Sequence, residues 1–127
     1  MVGYVTLGTN DWDRALGFYD ALLGELGAAR LMDIPDFVLF GTAPDAACLA
    51  VVNPFDKNAA SVGNGVMVAL RADSHDQVDA LHAKALGLGG TDEGLPGDRG
   101  GGFYAAYFRD LDGNKLAAFT FDPPGGG

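Results

Sequence analysis

Residues able to do acid–base, nucleophilic or metal chemistry are few in this chain, and their spacing is wrong for most of it. The two histidines, His75 and His82, fall on one predicted helix. Cys48 is the single cysteine, so there is no CxxC pair and no disulfide framework. Its neighbours Ala46, Ala47, Leu49 and Ala50 make it a small hydrophobe rather than a nucleophile. No Ser-His-Asp or Cys-His arrangement can be assembled from so few histidines. The run "GDRGGG" (97–102) lacks both the strand–GxGxxG–helix setting and a following Lys-Ser/Thr, so it is not a phosphate cradle. Arg71 could meet an anion bidentately, pair with Asp73 or lie in solvent. His82 shares a helical face with Val78 and Leu81 and reads as a packing residue, His75 as a solvated one. Trp12 reads as a packing or dimer-contact residue.

Composition narrows the partners. The chain has 127 residues, 20% charged and 48% hydrophobic, which fits one folded domain with a real core. Its formal net charge of −9 leaves no basic patch for nucleic acid or an anionic membrane surface. The charge permits a cationic ligand, with solubility as the plainer reason for it. The N-terminal "MVGYVTLGTNDWD" has no basic region of a signal peptide, and no apolar run is long enough to span a bilayer; a cytoplasmic protein is expected.

The elements that must carry these residues follow from pattern. "YVTLGT" (4–9) reads as a strand. Asn10 or Asp11 caps a helix with Asp13 in its first turn, an apolar stripe of Ala15, Leu16, Tyr19, Leu22, Leu23 and Leu26, and a stop at Gly24 and Gly27. "DFVLFG" (36–41) and "ACLAVVN" (47–53) read as strands joined by "TAPDA". Residues 53–65 read as a loop. "VMVALRA" (66–72) is a strand. Ser74 caps a second helix bearing Val78, Leu81, Ala85 and Leu86, stopped by Gly87, Gly89 and Gly90. "GLPGDRGGG" (94–102) reads as a flexible loop that could serve as a lid. "FYAAYFRD" (103–110) and "NKLAAFTF" (114–121) are strands around the turn "LDG". The segment 123–127 reads as a disordered tail.

Strand, helix and strands thus occur twice, which points to duplication. Sliding the chain so that Val5 falls on Val68 also brings Leu7 onto Leu70, Asp13 onto Asp76, Gly24 onto Gly87 and Gly27 onto Gly90. A small slip in the loops then sets Asp45 on Asp112, Leu49 on Leu116, Ala50 on Ala117 and Phe40 on Tyr107.

With paired βαβββ modules, "YVTLGTNDWDRALGFYDALL" at the start, a helix "VDALHAKAL" ending at glycines, and "YAAYFRDLDGNK" near the end, the chain resembles the vicinal-oxygen-chelate superfamily. That group includes glyoxalase I, bleomycin-resistance proteins, fosfomycin-resistance enzymes and extradiol dioxygenases. The resemblance runs from Tyr4 to Phe121. It implies an α+β fold with two βαβββ modules in one chain, forming a curled mixed β-sheet cup with flanking helices. A single domain of residues 1–122 is expected, with module one at about 1–58 and module two at about 64–122. Metal-using members hold a divalent cation with four His or Glu side chains from the first and last strands of each module. The resemblance places those positions at Tyr4, Met67, Ala117 and Ala50. One phenol, one thioether and two methyls are not donors for a divalent catalytic ion, so no metal and no cofactor are expected.

If those four positions face inward, strand alternation adds Thr6, Gly8, Val52, Ala69, Arg71, Ala105, Tyr107 and Phe119 to the lining. Val5, Leu7, Val68 and Leu70 then pack against the helices. The expected ligand-binding residues are Tyr4, Thr6, Ala50, Met67, Ala69, Arg71, Tyr107, Ala117 and Phe119, and no catalytic residue is assigned. Apolar walls with sparse polar points suit a small organic molecule. The preferred reading is a metal-free, homodimeric protein that binds such a molecule. The alternatives are a metal-dependent glyoxalase-type lyase with unusual ligands, and a non-catalytic dimerisation module with a filled cup.

Overall fold

The structure is a computed structural model and describes residues 1–122. The expected tail at 123–127 lies outside the described residues. Two units separate by contact: Met1–Asn64 together with Leu111–Asn114, and Gly65–Asp110 together with the chain from Lys115 on. Each carries one helix and one four-stranded mixed sheet, so the chain is α+β with two βαβββ modules. No helix is long and apolar enough to cross a membrane.

In the first unit β1 (Tyr4–Gly8), α1 (Trp12–Gly24), β2 (Ala29–Ile34), β3 (Phe37–Gly41) and β4 (Cys48–Val52) follow in order. The sheet order is β1-β4-β3-β2, with β1 parallel to β4 and the other pairs antiparallel. Asp11 is the cap of α1: its carboxylate accepts from the Arg14 backbone N–H at 3.4 Å, and Asp13 adds negative charge to the first turn. Beyond the helix Gly27 turns the chain in the left-handed region, φ 77°. Leu7, Val38, Phe40, Leu49 and Val51 make the buried face of this sheet, and Tyr19 of α1 lies 6.4 Å from Phe40, ring centre to ring centre.

The second unit repeats the plan with β5 (Val68–Arg71), α2 (His75–Gly87), β6 (Thr91–Asp98), β7 (Phe103–Arg109) and β8 (Lys115–Phe121). Its sheet order is β5-β8-β7-β6. Ser74 caps α2 by accepting from Gln77 N–H at 3.1 Å. Val78, Leu81, His82 and Ala85 are buried on α2, and Ala106, Phe108, Leu116 and Ala118 are buried on the strands.

The repeat holds at the level of strand register. Val5 pairs with Leu49 and Thr6 with Ala50; Val68 pairs with Leu116 and Ala69 with Ala117. Both helices have 13 residues. An irregularity falls at the same place in each second strand, at Leu31 between Arg30 and Met32 and at Glu93 between Asp92 and Gly94. One matched pair needs correction. Leu39 is the partner of Ala50 and Tyr107 the partner of Ala117, so Tyr107 answers to Leu39, while Phe40 answers to Phe108. The returning turn differs by one residue between modules, which a slip placed elsewhere does not capture.

Three further expectations change. Ala29–Ile34 is a strand that the sequence pattern does not announce, since all six of its residues are exposed at an edge. Thr91–Asp98 is a strand paired with β7, so the first half of the expected flexible loop 94–102 is sheet, not lid. Met67 precedes β5 instead of opening it.

Candidate functional site

Each sheet has a second face, opposite the buried one, and the expected ligand-binding residues other than Met67 fall on these two faces. In the first unit Tyr4 and Thr6 share this face with Ala50, through the register Tyr4–Cys48 and Thr6–Ala50. Phe37 and Leu39 of β3 belong to it, and Tyr4 meets Phe37 edge-on at 6.0 Å. Tyr4 is 56% exposed whereas Ala50 is fully buried, so Ala50 is floor rather than contact surface. Cys48 is half-buried on the same face, with Sγ 3.2 Å from the Ala46 carbonyl oxygen, so it is not the fully buried hydrophobe expected.

At one end of this face lies an open cleft of ≈ 680 Å³, within the usual range for small-molecule sites. Thr6, Phe37, Val52 and the loop from Asn53 to Ser61 line it. Asn10 positions the loop: its amide donates to the Ala60 carbonyl at 3.0 Å and accepts from the Ala60 N–H at 2.7 Å. Gly8 makes the close approach possible, because a Cβ there would sit 3.0 Å from the Ala60 Cβ. Asp36 and Lys57 both take left-handed backbone, φ 65° and 67°. Pro35 sets the first corner of the β2–β3 turn and Asp36 the second, a role Asp tolerates. The Asp36 carboxylate accepts from the Asn53 amide at 2.8 Å and lies 3.7 Å from Lys57 Nζ. Phe55, on the same loop, is 99% exposed. Of the expected site residues only Thr6 lines this cleft. Trp12, half-buried at the start of α1, lines a smaller cleft of ≈ 510 Å³ beside it.

In the second unit Ala69, Arg71, Ala105, Tyr107, Ala117 and Phe119 share one face by register. Ala117 is only 1% exposed and, with its partner Ala69, forms a low floor. Arg71 rests over the Phe119 ring at 5.7 Å instead of pairing with Asp73, and Phe103 stacks on Phe119 at 5.7 Å. Two cations approach Tyr107: Arg99 at 5.4 Å and Lys115 at 5.5 Å from the ring centre. Gly94 lets the Tyr107 ring lie against β6, since a Cβ there would be 2.9 Å from the ring's Cδ2. Arg109 on this face is held by Glu93, Nε to Oε1 2.6 Å. Met67 is exposed ahead of the strand, so register assigns it to neither face.

Two of these cations escaped the sequence reading. Lys115 stands two residues before Ala117 on one strand, and the alternation that marked Ala117 and Phe119 marks it too. Arg99 follows β6 and turns back onto the face; no periodicity reveals that.

The histidines stay with the helix. His82 is buried, lies 6.5 Å from the Phe108 ring centre and bonds Asp92 at 3.0 Å through Nε2. The Gly94 N–H, and after it His82, hold the Asp92 carboxyl below its ordinary range. His75 is exposed but stacked on Tyr104 at 3.9 Å. The Tyr104 hydroxyl donates to Asp79 at 2.6 Å, and that bond raises its pKa.

Among the described residues no three His, Cys, Asp or Glu side chains gather as a metal-holding group. The positions where the resemblance expects metal ligands carry Tyr4, Ala50, Met67 and Ala117, whose donor chemistry does not fit a divalent ion.

The sequence matches the family model of the Glyoxalase/Bleomycin resistance protein/Dioxygenase superfamily over residues 1–118. Among solved structures it is similar to a glyoxalase/bleomycin resistance protein from Albidiferax ferrireducens. The identity is 36%, covering 96% of this chain and 99% of that one, with a TM-score of 0.88. A lactoylglutathione lyase from Agrobacterium tumefaciens is 20% identical over 96% of this chain and 98% of its own, TM-score 0.68. An antibiotic binding protein from a Streptomyces species is 23% identical over 96% of each chain, TM-score 0.67. No curated protein matches the sequence. The register-exact repeat of a βαβββ module, the family match over almost the whole length and the Albidiferax likeness agree: the chain belongs to the glyoxalase/bleomycin resistance protein/dioxygenase superfamily.

Proposed function

We propose that this protein binds a small organic molecule on the open sheet faces without a metal ion, and that Tyr4, Thr6, Ala50, Ala69, Arg71, Tyr107, Ala117 and Phe119 form or support the binding surface. One observation carries the reading. The positions that would ligate a metal hold methyl, thioether and phenol groups, while the same faces keep aromatic and polar side chains clear of the core. Aromatic walls hold a ligand by area, and a few hydroxyls and charges orient it. The ≈ 680 Å³ cleft supports the same reading by its size, and so does the likeness to a protein that binds an antibiotic. Met67, expected in the set, is left out of it because it lies outside β5.

Trp12 gives a built-in reporter beside the first unit's cleft. Purified protein is stripped with a chelator, assayed for nickel, zinc, iron and manganese, and titrated with a fragment library by Trp12 fluorescence. Binding that survives chelation supports the reading. A tightly held stoichiometric metal whose removal abolishes binding establishes the lyase-type alternative instead.

We also propose a homodimer. Tyr4, Leu31, Met32 and Ile34 are exposed on the first sheet, three of them along an edge strand. Light scattering across a dilution series tests this, with Ile34→Glu expected to shift the equilibrium toward monomer.

A further inference from the structure

Four of the chain's eight lysines and arginines, Arg71, Arg99, Arg109 and Lys115, lie on the open face of the second sheet, in a protein whose formal net charge is −9. Arg109 is neutralised by Glu93. Among the described residues no carboxylate pairs with the other three; each rests on a ring. Two like charges on the single ring of Tyr107 repel one another, and an anion placed there relieves that repulsion. Between Tyr107 and Phe119 the floor is alanine: Ala117 pairs with Tyr107, and Ala105 with Phe119. These methyls are covered, with Ala105 0% and Ala117 1% exposed, so the surface offered to a ligand is the two rings and the cations on them. Lys115 and Phe119 sit four residues apart on β8, so their backbone positions are roughly 13 Å apart at strand rise.

We infer that this face takes a planar aromatic anion, its ring against Tyr107 or Phe119 and its carboxylate or sulfonate held by Lys115 and Arg99 or by Arg71. The assignment rests on the small-molecule reading above and names the ligand class for it. An aromatic anion satisfies both parts of the surface, because stacking supplies area and a charge-assisted hydrogen bond fixes direction. A cationic ligand would meet the same guanidinium and ammonium groups with repulsion, whatever the sign of the whole molecule.

Three naphthalene probes of one ring system test it: 2-naphthoate, neutral 2-naphthalenemethanol and cationic 2-naphthylmethylammonium, titrated calorimetrically into the full chain at fixed salt. The expected result is naphthoate affinity about tenfold or more above both others. Arg71→Gln, Arg99→Gln and Lys115→Gln are compared with Lys84→Gln on α2 as an off-face control. At least one of the three is expected to lower naphthoate affinity by about tenfold while leaving the neutral probe unchanged, the size of one lost charge-assisted contact. Circular dichroism melts confirm that each variant is folded. Equal or tighter binding of the neutral or cationic probe overturns the anion assignment and leaves small-molecule binding standing. No change in any of the three variants overturns it as well. Failure of all three probes to bind at millimolar concentration overturns both.

Discussion

At the irregularity in β2, Leu31 lies against Gly41; at the matching one in β6, Glu93 holds Arg109. One residue earlier both modules carry a charge, of opposite sign. Arg30 reaches down to Asp20 of α1, its Nη2 2.7 Å from the carboxylate, whereas Asp92 in the matching place reaches His82 of α2. Helix and strand are therefore bridged in both modules, but with the acid on the helix in one and on the strand in the other. The ring that each helix lays on the sheet also matches in place: Tyr19 on Phe40, His82 on Phe108. Backbone register and the buried ring are common to the two modules, and the polar chemistry around them is free to differ. The difference concentrates cations on one open face and leaves the other largely apolar.

The shared part can be broken most severely. Phe40→Ala and Phe108→Ala remove equivalent, fully buried rings, and each is expected to destabilise by about 3–5 kcal/mol. Urea unfolding followed by circular dichroism measures both. If one loss is under about 1 kcal/mol, the two positions are not structural equivalents and the repeat fails at its core. His82→Ala comes next, at about 2–3 kcal/mol, since it opens a cavity and strips the bond to Asp92. Arg30→Gln, at the matching bridge, is expected to lose about 1 kcal/mol or less, because Arg30 and its acids are exposed and the pair is screened.

The two bridges also separate by pH. The Asp92 carboxyl is held low by the Gly94 N–H and then by His82. A depressed carboxyl contributes stability that is present above its unfolded value near 3.9 and is lost as pH falls through the folded value. The urea midpoint of the native protein should therefore fall with acid, and Asp92→Asn should lower the midpoint at neutral pH and flatten part of that slope, meeting the native protein at the acid end. An unaltered acid limb in Asp92→Asn would remove the carboxylate from the account.

Local signals made the helices and inner strands legible. Asp11 and Ser74 stop competing turns by capping, and glycine closes both helices, so the boundaries could be read within a residue or two. The inner strands alternate over one buried face. The edge strands do neither. "ARLMDI" has every side chain exposed, and "TDEGLPGD" carries two glycines and a proline, which only an edge accommodates because the proline has no N–H to give. Of the candidate site, Tyr4, Thr6, Ala69, Arg71, Tyr107, Ala117 and Phe119 could be placed on a face by strand alternation once the family resemblance had supplied which side to take. Arg99 and the cleft loop at Asn53–Ser61 could not. Their positions depend on a chain reversal and on the Asn10 amide bonding to Ala60, contacts that join residues far apart in sequence.

The smallest effect expected is at the stacked pair on the helix side of the second sheet. Tyr104 donates to Asp79 and carries His75 on its ring, and the first module has no such group in the matching strand. The bond to Asp79, with lesser contributions from burial and from nearby acids, raises the phenol's pKa. A raised acid contributes stability that is complete below its unfolded value near 10 and is lost as pH rises through the folded value. Tyr104→Phe keeps the stack and removes the titration. Between pH 9 and 11 the native protein should lose stability that the variant does not, and at pH 7 the two should melt within a few degrees of each other. Identical alkaline limbs would show that the second module's extra polar chemistry at this site contributes nothing to its fold, and would leave the contrast between the modules to Asp92 and the open face.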